Sequence, residues 1–274
     1  MGLRVNTNVS SLNAQRNLMN TTNSLQRSLE RLSSGLRITR AADDAAGLAI
    51  SEQFRADIRS LGQAQRNAND GISLLQVAEG ALDESSSTLI RLRELAVQSA
   101  NGTLGTDERA SLNAEFQALV SEIDRIANVT EFNGTAVLNN SGLQVTFQVG
   151  INNTANDRIT VTGVDATASG LSIDALAVDT VTNAQAALSA LDTAIGDLAG
   201  LRAQFGTAQN RLESTIRSLA VSVENTSAAE SRIRDVDVAS ETAALTRNQV
   251  LQQAGVSVLA QANVSTQVAL SLLN

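Results

Sequence analysis

The sequence has no cysteine, histidine, tryptophan, tyrosine, proline or lysine; all 20 basic residues are arginine, and the five phenylalanines are its only aromatics. Each absence removes a chemistry. Without Cys or His there is no thiolate nucleophile, no Ser-His-Asp triad and no imidazole-based zinc site. Without lysine there is no Schiff base and no phosphate-loop lysine. Without cysteine there is no disulfide to indicate a redox compartment, and without proline no ring clash interrupts a helix. Only carboxylate chemistry remains, and no cofactor or metal is expected.

Aromatics make up 2% of a chain that is 43% hydrophobic, so the core must be built from Leu, Ile, Val and Ala. No apolar run reaches the roughly 18 residues of a membrane-spanning helix. The opening "MGLRVNTNVSSLNAQ" lacks the apolar stretch of a cleaved leader, so no signal peptide is expected. The net charge of −8 argues against a nucleic-acid partner, which needs a basic footprint. That charge is uneven: residues 1–66 hold nine arginines against five acids, and residues 67–274 hold 11 against 23.

Helical periodicity is the strongest signal. Val5, Val9, Leu12, Met19, Leu25, Leu29, Leu32 and Leu36 mark one apolar stripe. From about Ile58 to Ser99, Leu61, Ala68, Leu75, Leu82, Leu89 and Ala96 recur every seventh residue, which predicts a long helix packed along a seam. "NGTLGTDE" ends it, and Leu112, Phe116, Leu119, Ile123 and Ile126 predict an antiparallel neighbour. Residues 129–181 turn rich in Val, Thr, Asn and Gly. There, Asn133-Gly134 signals a type I′ hairpin, and "VTFQVG" and "RITVTG" alternate as strands. Thr182 is predicted to open a further helix, with Gln185 in a capping box, whose stripe runs from Leu188 to Val223. A last helix from about Val238 to Leu273 has a broad apolar face that includes Leu251, Val258, Leu259, Ala262 and Leu272.

These patterns predict a mainly α fold: a long helical coiled-coil rod with a small antiparallel β-hairpin element. The stripes at the two ends of the chain are left over and should pair with each other. A lone helix pair with wide apolar faces is marginal in water, so it should also stack on copies of itself. Head-to-tail stacking through two different surfaces gives open helical filaments unless the rotation closes a ring.

The stretch "SLERLSSGLRITRAADDAAGLAIS" (28–51) resembles bacterial flagellin. So do "GISLLQVAEGALDE" (71–84), "LIRLRELAVQSANGT" (89–103), "FNGTAVLN" (132–139) and "RIRDVDVASETAALTRNQVLQQAGVSVLAQAN" (232–263). The resemblance implies a terminal inner-core domain from residues 1–40 and 235–274. It implies an α-rod from 41–234, with the β element at about 129–181 and no outer domains. It also implies a filament subunit for motility, exported unfolded by the flagellar type III system to an extracellular filament. The implied partners are copies of itself, an export chaperone, a filament cap and hook-junction proteins.

Within the first stretch, Asp43 and Asp44 are adjacent carboxylates. On a helix neighbours diverge by about 100°, whereas hydrolysis needs carboxylates on opposite sides of a bond. With Arg37 and Arg40 as candidate partners, they are expected to form ion pairs or caps where the inner helix joins the rod. The resemblance also implies a patch for the animal flagellin-sensing Toll-like receptor, at Arg91, Leu95, Gln98 and Glu115, with Ile90 departing from the Gln common there. Two other readings stay open: a flagellin-like hook–filament junction protein, and a secreted coiled-coil interaction protein.

Overall fold

The computed structural model describes residues 7–271, with side chains as far as Val264. The elements are α1 (Val9–Ser34), α2 (Ala45–Ser99), α3 (Thr106–Val129), β1 (Glu131–Phe132), β2 (Thr135–Ala136), β3 (Gln144–Gln148), β4 (Arg158–Thr162), α4 (Val181–Arg234) and α5 (Val238–Ser271). The fold is mainly α, with two small antiparallel hairpins, as the periodicity predicts. The chain divides into two compact units. One gathers the two ends, up to Ala56 and from Asn225; the other is Asp57–Glu224.

The unit Asp57–Glu224 is built on the sevens of α2. Leu61, Ala68, Leu75, Leu82, Leu89 and Ala96 are all buried, with Ala64, Ala78 and Leu92 between them. On α4 the matching row is Ala184, Ala187, Leu191, Ala194, Leu198, Phe205, Ala208, Leu212 and Leu219, spaced mostly three and four residues apart as a coiled-coil seam requires. The two helices run antiparallel: Arg93 meets Asp192 at 2.6 Å near one end, and Arg202 meets Asp83 at 3.0 Å further along. The seam alternates large and small residues, so that α2 and α4 approach closely. At Gly71 a Cβ would lie 3.1 Å from Leu212 Cδ1 and 3.2 Å from the Phe147 ring.

α3 folds back along α2, with Phe116, Val120 and Ile123 entering the same core. The turn is closed by a buried arginine. Arg109 donates through Nε to the Ser99 carbonyl at 3.0 Å and through Nη2 to that of Asn101 at 2.9 Å. This places a cation on the carbonyl end of α2, where the helix dipole favours it.

β1 and β2 are joined by Asn133 (φ 49°) and Gly134 (φ 76°), the two left-handed residues that a type I′ turn demands. In the second hairpin Val145 pairs with Val161 and Phe147 with Ile159, and Asn67 on α2 donates to the Gln148 carbonyl at 3.0 Å. The return to α4 has no regular structure, yet Ala166, Ala168, Leu171, Ile173 and Val178 are buried. Three polar side chains of α3 hold its backbone: Asp124 accepts from the Ala168 amide, Asn113 accepts from that of Val178, and Gln117 donates to the Leu176 carbonyl.

Three helix ends differ from the sequence reading. α2 begins at Ala45, not near Ile58. α4 is capped by Thr180, whose Oγ1 accepts from the Asn183 amide at 3.1 Å, so Thr182 lies inside the helix. α4 also continues through "ENTSAAES" to Arg234, because polar residues alone do not stop a helix that lacks Gly and Pro there.

Leu82→Ala opens a cavity in a fully buried seam and should destabilise this unit by about 2–5 kcal/mol. Ile90→Ala, at an exposed site on the same helix, should change stability by less than about 0.5 kcal/mol. Urea unfolding of the two variants checks the contrast.

Candidate assembly interface

The terminal unit pairs α1 with α5 in antiparallel fashion. Asn8 donates through Nδ2 to the Ala262 carbonyl at 2.8 Å, and Ser11 Oγ donates to Asn263 Oδ1 at 2.9 Å. Arg31 meets Glu241 at 3.7 Å toward the other end. α1 starts with Asn8 as a side-chain cap on the Ser11 amide and stops at Gly35, whose φ of 73° is the left-handed conformation of a helix C-terminus.

The seam of this pair differs from the predicted stripe. On α1 it runs through Ser11, Ala14, Leu18, Thr21, Leu25, Ser28 and Leu32, with Ser11, Ala14 and Ser28 buried. On α5 it runs through Leu245, Asn248, Gln252, Gly255, Leu259 and Ala262, all half-buried. Of the residues expected to serve self-assembly, Leu25, Leu32, Leu259 and Ala262 lie in the seam, while Val9, Leu12, Leu29, Leu251 and Val258 are exposed at 49–59%. Val5 and Leu272 lie outside the described residues. The seam is narrow and mixes leucines with small and polar residues, so a second aliphatic row on each helix lies outside it.

Eleven of the seventeen exposed large aliphatic residues fall in this unit, whose own buried hydrophobic residues, among those described, are Ala14 and Ile38. The terminal unit has an apolar surface and almost no core.

The connectors between α1 and α2 and between α4 and α5 are laced together. The Arg37 amide donates to the Arg234 carbonyl at 2.7 Å, and the Val236 amide donates to the Gly35 carbonyl at 3.0 Å. The Arg37 guanidinium donates to the Ile233 carbonyl at the end of α4, again a cation on a helix C-terminus. Arg234 pairs with Glu52 at 2.8 Å.

Asp43 and Asp44 act in opposite directions along the chain. Asp43 reaches back, accepting from the Thr39 amide, the Thr39 hydroxyl and the Arg40 amide at 3.0–3.2 Å. Asp44 reaches forward and caps α2, accepting from the Gly47 amide at 2.8 Å. Of the expected roles, ion pairs or caps within or between subunits, it is the caps that form within the chain, where neither Arg37 nor Arg40 pairs with these carboxylates. Arg40 instead makes a forked pair with Glu30 at 2.7–3.0 Å, and Arg37 is taken up by the Ile233 carbonyl. Backbone donors are nearer to each carboxylate than the long arginine side chains are. Gly47 is required at its position: a Cβ there would come within 2.8 Å of Ile38 Cδ1 and would collide with the Asp44 carboxylate.

The expected receptor patch is only partly a surface. Arg91 on α2 pairs with Glu115 on α3 at 2.9 Å and with Glu94 at 3.0 Å, and Gln98 is exposed. Leu95 is 1% exposed and belongs to the core. It lies one helical turn from Arg91 but is packed inward with Leu92 and Ser99, which are also buried.

The Asp43 carboxyl is held below the usual carboxylate range, chiefly by the Thr39 hydroxyl and, against some opposing desolvation, by the Arg40 and Thr39 amides. The unfolded chain therefore takes up this proton first as pH falls. Asp43's contribution is complete above the ordinary value of about 4 and is lost as pH falls through the lower folded value. The melting midpoint of the native protein minus that of Asp43→Asn should thus be positive at pH 6 and shrink toward zero near pH 2. Asp44→Ala should cost about 1 kcal/mol as a lost helix cap, read in the same melts.

Comparison with known proteins agrees with this geometry. Residues 5–142 match the bacterial flagellin N-terminal helical region, and residues 188–273 match the bacterial flagellin C-terminal helical region. The chain is 49% identical to the flagellin of Halalkalibacterium halodurans, over 98% of this chain and 99% of that one. It is 45% identical to the flagellar filament 33 kDa core protein of Treponema phagedenis, again over 98% and 99%. Its fold is similar to the crystal structure of Bacillus cereus flagellin, with a TM-score of 0.51 and 34% identity over 56% of this chain and 88% of that one. With both helical regions matched in order and relatives aligned nearly end to end, the chain belongs to the bacterial flagellin family.

Proposed function

We propose that this flagellin polymerises through the aliphatic rows of α1 and α5 to form the helical flagellar filament outside the cell, as its structural subunit. One observation carries the reading: Val9, Leu12, Met19 and Leu29 on α1 and Val250, Leu251, Val256 and Val258 on α5 are exposed in a unit that has almost no core of its own. Each such side chain gains about 1.5–3 kcal/mol on full burial. Copies of the same chain offer the same rows, and heterologous contacts between copies extend without closing.

Before assembly the same rows need a cover, and the export chaperone of a type III route without a cleaved leader would provide one. The filament cap and the hook-junction proteins would meet the rows at the two ends of the polymer. The major-subunit reading is preferred to a junction protein because the near-full-length relatives carry the names flagellin and flagellar filament core protein. Recognition by the flagellin-sensing Toll-like receptor would rest on Arg91, Gln98 and Glu115, which stay on the surface of α2 and α3. Purified monomer should trigger cells bearing that receptor, and Arg91→Ala should weaken the response; silent cells would remove this partner.

Leu12→Asp and Val258→Asp should each abolish pelletable fibres when purified protein is incubated at neutral pH with short filament seeds. Neither should move the melting of the Asp57–Glu224 unit. Fibres forming at the native rate in both variants would exclude these rows as the assembly surface.

A further inference from the structure

The missing residue types have a joint electrostatic consequence. The side chains that ordinarily titrate between carboxylates and arginine are histidine, cysteine, tyrosine and lysine, with values of about 6.5, 8.5, 10 and 10.4. This chain has none of them. Its charged side chains are 28 carboxylates and 20 guanidiniums, and a guanidinium keeps its proton beyond about pH 12. Apart from the terminal amino group, nothing in the chain gains or loses a proton from about pH 6 to about pH 12.

The structure places this constancy where it matters. Arg93 on α2 faces Asp192 on α4, and Arg202 on α4 faces Glu79 and Asp83 on α2. Buried Arg109 faces the carbonyls of Ser99 and Asn101, at the close of α2. In the terminal unit Arg31 ties α1 to Glu241 on α5, and Arg234 ties the end of α4 to Glu52 on α2. Any other charged side chain facing these contacts is, by composition, also a carboxylate or a guanidinium.

We infer that this flagellin is built to fold, polymerise and serve in an alkaline medium, with its ion pairs and its side-chain net charge of −8 unchanged to about pH 12. The assembly part of this inference rests on the filament reading above. The alternative shows what is at stake. With lysine at the same 20 positions, most positive charge would be gone by pH 11, leaving about 24 of the 28 carboxylates on every subunit uncompensated. Subunits stacked in a polymer would then repel one another, and the ties between α2 and α4 would be open.

The test measures monomer melting and filament sedimentation from pH 7 to pH 11.5 in the native protein and in a triple variant, Arg93→Lys, Arg109→Lys and Arg202→Lys. At pH 11 about four-fifths of an unperturbed lysine is neutral, and a buried lysine at 109 loses its proton earlier still. The native midpoint and pelleted fraction should stay flat across the range, while the variant's midpoint starts lower at pH 7, because lysine at 109 does not reproduce the two-carbonyl fork, and falls further above pH 9. If the triple variant fails to fold, the exposed pair Arg93→Lys with Arg202→Lys serves, with a smaller fall. A native midpoint that falls as steeply as the variant's, or a variant as flat as the native protein, overturns the inference. Native filaments that dissolve at pH 11 while the monomer midpoint stays flat overturn its assembly part. Failure to form fibres at any pH tells against the filament reading instead, with the melting data still deciding the charge argument.

Discussion

The constraint on which the rest depends is the seam between α1 and α5. Five leucines (Leu18, Leu25, Leu32, Leu245 and Leu259) alternate there with the small residues Ser11, Ala14, Ser28, Gly255 and Ala262 and the polar Thr21, Asn248 and Gln252. So mixed and narrow a seam buries little apolar area, and of its residues only Ser11, Ala14 and Ser28 are fully buried. Leu12, Leu29, Leu251 and Val258 then have no place inside the pair. A pair that stood alone would place more of its aliphatic residues in the seam and fewer outside. Among the described residues the terminal unit instead keeps most of its bulky aliphatic side chains on its surface rather than in a core.

The unit Asp57–Glu224 shows the opposite balance. There the rows of α2 and α4 are buried against each other over many turns, α3 joins the same core, and the hairpins and the return to α4 close its side. Its ion pairs lie mostly on the surface and individually contribute about 0–1 kcal/mol. They fix which helix faces fall opposite one another more than they hold the unit together. The buried Arg109 is different: without it the Ser99 carbonyl at the end of α2 would lose its donor inside the turn, and the Asn101 carbonyl would keep only the Leu104 amide at 3.4 Å.

Much of this is legible in the sequence because the relevant burial happens within one chain. The sevens from Leu61 to Ala96 are buried without exception, and Asn133-Gly134 makes the type I′ turn that its residue types demand. The terminal seam is hard to read for the same physical reason turned around. Hydrophobic periodicity does not say whether a residue is buried within its own chain: in the predicted stripe Leu25 and Leu32 enter the seam while Leu12 and Leu29 are exposed, and Ser11 and Ser28, buried in the seam, carry no hydrophobic signal. Leu95 illustrates a finer limit. It lies one turn from Arg91 and from Gln98, at the border between their exposed face and the buried row of Leu92 and Ser99, and packing takes it inward. Residues 163–180 have no period to read; Asn113, Gln117 and Asp124 order them from a distant helix.

The connector shows how local chemistry settles a question that composition leaves open. Adjacent aspartates beside two arginines suggest salt links, yet an amide within three or four residues of a carboxylate reaches it at less entropic cost than a flexible guanidinium does. Asp43 therefore folds the turn at Thr39–Arg40, and Asp44 starts α2. The arginines are released for other carbonyl and carboxylate partners: Ile233 for Arg37 and Glu30 for Arg40. In this way a run of four charged residues fixes the C-terminal end of α4, the N-terminal end of α2 and the turn between α1 and α2. The aliphatic rows of α1 and α5 can then be presented outward by a frame that does not itself depend on burying them.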